Sequence, residues 1–314
     1  MKLTRIAGLL VFALLAFAVP AAPGDGGGPG AFPESSAYPA MEFANADGQS
    51  LLLDLFVPSG RGPFPVIVSV HGGSWASGTR DQGLAIVQLD RGYAVANIDY
   101  RLAPTSTWPA QVEDTKAAVR WLRANARRFD LDAGRIGVMG LSAGGHIGAV
   151  LGTSNGVTAL EGIELGNGGY SSKVQAVVDY FGPSDLLKLK QQALSCMPGD
   201  PNDPAEAPSQ LLGCTLPLCP EKAATANPIT YVTPDDPPFL LLHGTSDCLV
   251  PWQQSQILHD ALRKAGVRSK LIIIPFATHG DPLFLAPPIQ QQVNEFLDEH
   301  LKGPRERRRP VRRN

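Results

Sequence analysis

The sequence predicts an α/β fold built on a mostly parallel sheet covered on both faces. Three observations predict it. Eight short runs have strand character, and the later ones are apolar throughout rather than alternating, as strands buried on both faces are. Segments of helical period separate those later runs. The 314-residue chain is 44% hydrophobic and 18% charged, enough to bury a large core and too apolar for global disorder.

Lys2 and Arg5 precede an apolar run from Ile6 to Val19, and Val19-Pro20-Ala21 supplies small residues after it. This is the pattern of a secretory signal peptide over residues 1–21, cleaved after Ala21 or Ala22. An uncleaved anchor is the alternative, but the run is short for a bilayer span of about 20 residues. Residues 22–39 are rich in Gly, Pro, Ala and Ser and read as a flexible leader. The domain proper is expected over 40–301, and the Arg-rich tail 302–314 is expected to be solvated.

Met41–Ala46 and Leu51–Val57 flank Asp47-Gly48, a hairpin signal. Pro65–Val70 is an apolar strand ending at His71, Asp81–Asp90 has helical spacing, and Tyr93–Ile98 is another buried strand. Gln111–Asn125 is an amphipathic helix, with Val112, Ala118, Val119 and Leu122 on one face and Pro109 near its start. The strand Arg135–Met139 follows, then Val174–Tyr180, Phe239–Leu242 and Leu271–Ile274. Helices are expected at Gln253–Ala265, ended by Gly266, and at Ile289–Leu301. Residues 183–237 break this rhythm. They are long, rich in Pro and Ala, and read as a small helical cap over the C-terminal edge of the sheet.

The chemistry-bearing motif is Gly140-Leu141-Ser142-Ala143-Gly144, placed between the strand Arg135–Met139 and an apolar helix. A Gly-x-Ser-x-Gly turn in that context is a nucleophile elbow. Glycine two residues on either side removes clashes with the backbone, and the serine is presented at a helix N-terminus. A serine hydroxyl is a poor nucleophile. It needs a base, a group that orients the base, and donors for the oxyanion. Asp247 and His279 follow the last two strands, where ligand sites of open α/β sheets lie, and in the chain order Ser, Asp, His. Asp185 is the runner-up acid, and Asp281 is less suited because it adjoins His279. His243 and His146 are expected to be structural, while His259 and His300 lie in helices. His71-Gly72-Gly73-Ser74-Trp75 follows an early strand, so the N–H groups of Gly72 and Gly73 are expected to join that of Ala143 in an oxyanion hole.

With Asp99-Tyr100-Arg101-Leu102-Ala103-Pro104, Gly145-His146 and Thr278-His279-Gly280 added, these motifs resemble α/β-hydrolase serine esterases. The likeness is to the branch of hormone-sensitive-lipase-like and bifunctional acetylxylan/feruloyl esterase-like proteins, and it covers roughly 41–301. It implies an eight-stranded, mostly parallel sheet flanked by helices, with the cap inserted after the sixth strand. It implies Ser142 as nucleophile, His279 as base, Asp247 as orienting acid, and hydrolysis of small or carbohydrate-linked esters, acetyl or feruloyl, without metal or cofactor. Ser74 and Leu141 stand where lipase-like members carry Gly and Asp, which favours the acetylxylan/feruloyl and formamidase-like groups over lipases. Trp75 and Trp108 are candidates for shaping the substrate pocket.

An amidase or formamidase would use the same residues. A prolyl-oligopeptidase-like peptidase would need a further domain, and a non-catalytic binding protein would be expected to have lost part of the triad. Neither nucleic acid, given a net charge of -2, nor a membrane span after signal cleavage is expected. A secreted or periplasmic location is. Cys196, Cys214, Cys219 and Cys248 then read as two disulfides. Their spacing lacks the Cys-x-x-Cys pair that would favour zinc. Three pairings are open. Adjacency of Cys248 to Asp247 suggests a tether to the cap, Cys248 with Cys219 and Cys196 with Cys214.

Overall fold

A computed structural model of the chain describes residues 35–196, 199–200 and 202–303. The signal-peptide reading and the Arg-rich tail beyond Gly303 lie outside the described residues. One eight-stranded sheet organises the fold: β1 (Ser36–Ala46), β2 (Gln49–Val57), β3 (Phe64–Val70), β4 (Ala94–Ile98), β5 (Leu131–Leu141), β6 (Ala176–Tyr180), β7 (Phe239–Gly244) and β8 (Ser269–Ile274). The order is β1-β2-β4-β3-β5-β6-β7-β8. β1 pairs with β2 and β2 with β4 antiparallel, and every other pairing is parallel.

Successive side chains of a strand point to opposite faces, so an apolar run supplies two cores at once. In β7, Phe239 and Leu241 enter one core, with residues of α1 (Ala110–Ala124), α2 (Ala143–Thr153) and α5 (Gln253–Lys264). Leu240 and Leu242 enter the other, with Val293 and Phe296 of α6 (Pro287–Leu297) and Leu89. This is why the parallel strands lack alternation in sequence.

Two elements differ from expectation. The leader was expected through residue 39, yet β1 starts at Ser36. Ser36, Ala37 and Tyr38 pair with Val57, Phe56 and Leu55, and the Tyr38 ring meets Phe129 edge-on at 4.9 Å. Sheet pairing therefore orders a stretch whose composition reads as loop. Residues 81–90 form no α-helix but two short 3-10 segments, Arg80–Gln82 and Leu84–Arg91, broken at Gly83. A Cβ on Gly83 would lie 2.1 Å from Asn97 Oδ1. The chain presses onto β4 there, and that approach interrupts the helix.

The insertion after β6 carries α3 (Ala207–Leu212) and α4 (Pro220–Ala226) among short turns. Leu211, Leu212, Leu216, Ala223 and Ala226 are buried in the first core, so the cap is seated by its own apolar face. The disulfides are Cys196–Cys248 and Cys214–Cys219, which corrects the suggested pairing of Cys248 with Cys219 and Cys196 with Cys214. Cys214 and Cys219 bracket the single turn Leu216–Leu218 and so face each other. Gln254 of α5 ties down the segment that leads to Cys196. Its side-chain oxygen accepts the N–H groups of Ser184 and Asp185, and its amide donates to Gln192. No helix among the described residues is long and apolar enough to cross a membrane.

Candidate active site

The turn after β5 is as tight as its glycines imply. Ser142 has φ 54° and ψ −118°, a conformation that costs a non-glycine residue about 1–3 kcal/mol. A Cβ on Gly140 would lie 2.1 Å from the Gly144 carbonyl oxygen, and one on Gly144 would lie 2.2 Å from that of Val70. Only hydrogen fits at either position. The turn is pinned by Ser142 N–H donating to the Tyr180 carbonyl and by His146 N–H donating to the Ser142 carbonyl.

Parallel pairing of β5, β6, β7 and β8 brings the loops after β7 and β8 to the same sheet edge as the elbow. There Ser142 Oγ lies 2.9 Å from His279 Nε2, and His279 Nδ1 lies 2.7 Å from Asp247 Oδ2. The carboxylate can only accept, so Nδ1 carries the hydrogen and Nε2 offers its lone pair to the serine hydroxyl. Asp247 is buried, and its Oδ1 accepts the N–H groups of Leu249 and Val250, each at 2.8 Å. Burial alone would raise its pKa. Contacts with His243 and His279 outweigh that and hold it well below the usual carboxylate range, so it stays ionised beside the imidazole. The Phe181 ring lies 4.6 Å from that of His279 and closes its inner side.

The other acids are occupied. Asp185 accepts the N–H of Lys188 and pairs with its ammonium at 3.0 Å. Asp281 accepts the N–H of Leu283 and both the N–H and hydroxyl of Thr278, so it braces the loop that carries His279. His146 is a satisfied core residue. Its Nδ1 accepts from the Trp75 indole at 3.1 Å and its Nε2 donates to the Ala226 carbonyl at 2.7 Å. Burial lowers its pKa to about 4, which keeps it neutral.

Beside the elbow, the loop after β3 runs close to the serine. A Cβ on Gly72 would lie 3.5 Å from Ser142 Cβ. The Gly72 carbonyl is held by His71 Nδ1 at 2.8 Å, and the Tyr100 hydroxyl lies 3.2 Å from the carbonyls of both His71 and Gly72. In a trans peptide the next N–H points the opposite way, so these contacts fix the directions of the Gly72 and Gly73 N–H groups. Ala143 is the first residue of α2, where backbone N–H groups lack a partner within the helix.

Trp75 and Trp108, the candidates for shaping the substrate pocket, are both buried. Their exposures are 4% and 3%, and both rings pack around His146, with centroids at 5.2 and 5.8 Å. The backbone N–H of Trp108 donates to the Leu211 carbonyl of the cap. They support the elbow helix and seat the cap from below. Sequence reasoning also gave no part to Tyr100 or Phe181. Tyr100 sits inside the Asp99–Pro104 motif, whereas Phe181 has no local signal.

The BD-FAE family model matches residues 53–262, well over half of the chain. The chain is 34% identical to Esterase LipC of Mycobacterium tuberculosis over 229 residues, 69% of this chain and 53% of that protein. It is 31% identical to isoprenylcysteine alpha-carbonyl methylesterase ICME of Arabidopsis thaliana over 263 residues, 79% of this chain and 57% of that protein. It thus spans somewhat more than half the length of these curated relatives. Among solved structures, a truncated carbohydrate esterase from gut microbiota superposes with a TM-score of 0.78 at 28% identity, covering 88% of this chain and all of that one. The shared architecture is the α/β-hydrolase fold.

Proposed function

We propose that this chain, which belongs to the BD-FAE family, is a secreted or periplasmic serine carboxylic-ester hydrolase acting through an acyl-enzyme on small or carbohydrate-linked esters. The observation that carries the reading is the hydrogen-bonded series from Ser142 through His279 to Asp247. His279 takes the Ser142 proton as Oγ attacks the ester carbonyl carbon. Asp247 keeps the imidazole in the required tautomer and stabilises the imidazolium that forms. The N–H groups of Gly72, Gly73 and Ala143 receive the oxyanion, each such donor contributing about 100-fold or more to turnover. The tetrahedral intermediate collapses, and the alcohol leaves with the proton from His279. A water then attacks the acyl carbonyl, giving up its proton to His279. The second tetrahedral intermediate releases the acid and Ser142 recovers its proton.

The carbohydrate esterase likeness supports a sugar-linked alcohol, and the two disulfides support an oxidising compartment. Amide or formamide hydrolysis would use the same groups and is separated by comparing matched ester and anilide substrates. The direct test is Ser142→Ala. Hydrolysis of p-nitrophenyl acetate should fall by at least about 1,000-fold with the fold and melting temperature retained. A variant that still turns over the ester at the parent rate refutes the assignment.

A further inference from the structure

The carboxylate that orients His279 is gripped from behind by a second histidine. His243 ends the apolar run of β7 and is fully buried. Its Nε2 lies 2.8 Å from the Val250 carbonyl oxygen and 3.4 Å from Asp247 Oδ2, and its Nδ1 lies 2.7 Å from Ser255 Oγ. Both oxygens facing Nε2 are acceptors, so Nε2 carries the hydrogen. Nδ1 meets the Ser255 hydroxyl on the other side of the ring. One N–H thus faces both the acid and the backbone of its turn.

We propose that His243 is a positioning residue for ester hydrolysis, holding Asp247 in the one orientation that reaches His279. This rests on the serine-esterase reading above. Asp247 Oδ1 is fixed by the Leu249 and Val250 N–H groups. Those donors are themselves held only as firmly as residues 247–250. His243 closes that turn from the inner side through the Val250 carbonyl. Of its two contacts, the one at 2.8 Å fixes the turn, and the one at 3.4 Å adds a weaker pull on Oδ2. Phe181 meets His243 edge-on at 6.5 Å and lies against His279 at 4.6 Å, so the space around the three polar groups is lined by aromatic carbon. His243 and Asp247 are both buried, so solvent is poorly placed to replace a lost donor. None of these contacts reaches the substrate side. Loss of His243 should therefore lower kcat and leave KM nearly unchanged. A displacement of about 1 Å in an orienting group costs up to about 100-fold in rate.

The test compares His243→Phe, His243→Gln and His243→Asn on p-nitrophenyl acetate, with kcat expressed per reactive serine counted by burst titration. Gln extends an amide N–H to the place of Nε2, whereas Asn reaches only that of Nδ1. Expected is a fall in kcat of about 10- to 100-fold for Phe with KM within about 3-fold, and recovery to within about 5-fold of the parent for Gln. Parent-like kcat per serine in His243→Phe, with only the melting temperature lowered, overturns the proposal and leaves a structural role. Should His243→Phe not fold, the decisive pair is Gln against Asn. Equal kcat for the two overturns the proposal, and a slower Asn supports it. Ser142→Ala is run alongside. Activity there would sink the esterase reading, whereas an inactive Ser142→Ala beside an unimpaired His243→Phe sinks this inference alone.

Discussion

Asp179, on β6 beneath the elbow, is a fully buried carboxyl with an unusual charge state. Its Oδ1 accepts the Gly182 N–H at 2.9 Å, and its Oδ2 has no hydrogen-bond partner among the described residues. Burial pushes its pKa up from 3.8 to about 7. The folded state thus holds a proton that the unfolded state releases above pH 3.8. Stability from this group is complete below that value, declines as pH rises, and is lost once pH passes about 7. Each pH unit separating the folded and unfolded values corresponds to about 1.4 kcal/mol. Asp247 has the opposite sign, but its depressed pKa acts only at pH below 3.8 and leaves this window clear. Asp179→Asn keeps the acceptor for Gly182 and removes the ionisation. Its advantage over the parent should grow between about pH 4 and pH 7 in chemical denaturation and level off above. Parallel stability curves would show that Asp179 ionises normally. At this scale the sequence was most legible where chemistry dictates order along the chain, which is why Ser142, Asp247 and His279 could be named. It was least legible where one residue serves another. The hold of His243 on Asp247 depends on the path of residues 247–250, and the use of Trp75 and Trp108 as supports depends on where His146 points.

The elements held their expected identity wherever burial on two faces wrote an apolar run, as in β3, β4 and β5 through β7. They departed from it where a distant contact decided: Gly83 against Asn97, and Ser36–Tyr38 against β2. Disulfide pairing is the extreme case, since spacing alone allows three connectivities. The two bridges differ in what they restrain. Cys196–Cys248 closes a separation of 52 residues and ends beside Asp247, whereas Cys214–Cys219 closes one of 5 within a single turn. Chain entropy assigns about 4 kcal/mol to the first and about 2 kcal/mol to the second, as upper figures. Replacing Cys196 and Cys248 by Ser should lower the melting temperature more than replacing Cys214 and Cys219. It should also reduce kcat, because it frees one end of the acid loop. Thermal melts and initial rates of the two double variants check both parts, and equal losses in the two would contradict the argument.

For the molecule as a whole, the sheet ties its two cores together. Leu240 and Leu241 are consecutive in β7 and fully buried, yet they belong to opposite cores. Each core is sealed by helices distant in sequence, α1, α2 and α5 on one side and α6 on the other. Neither face can loosen without exposing the strands that the other face also needs. Leu240→Ala and Leu241→Ala should each cost about 2–5 kcal/mol, the usual range for a buried leucine truncated without full collapse of the cavity. Their effects should combine non-additively, by more than about 0.5 kcal/mol, since both side chains stand on one strand that the two cores share. Both variants should melt in a single transition, about 2–4 °C lower for each kcal/mol lost, with ester hydrolysis lost over the same temperatures. Calorimetry alongside a residual-activity assay reads this directly. Two resolved heat-capacity peaks in either variant would mean that the faces are separate folding units, and that the site at the sheet edge is held by only one of them.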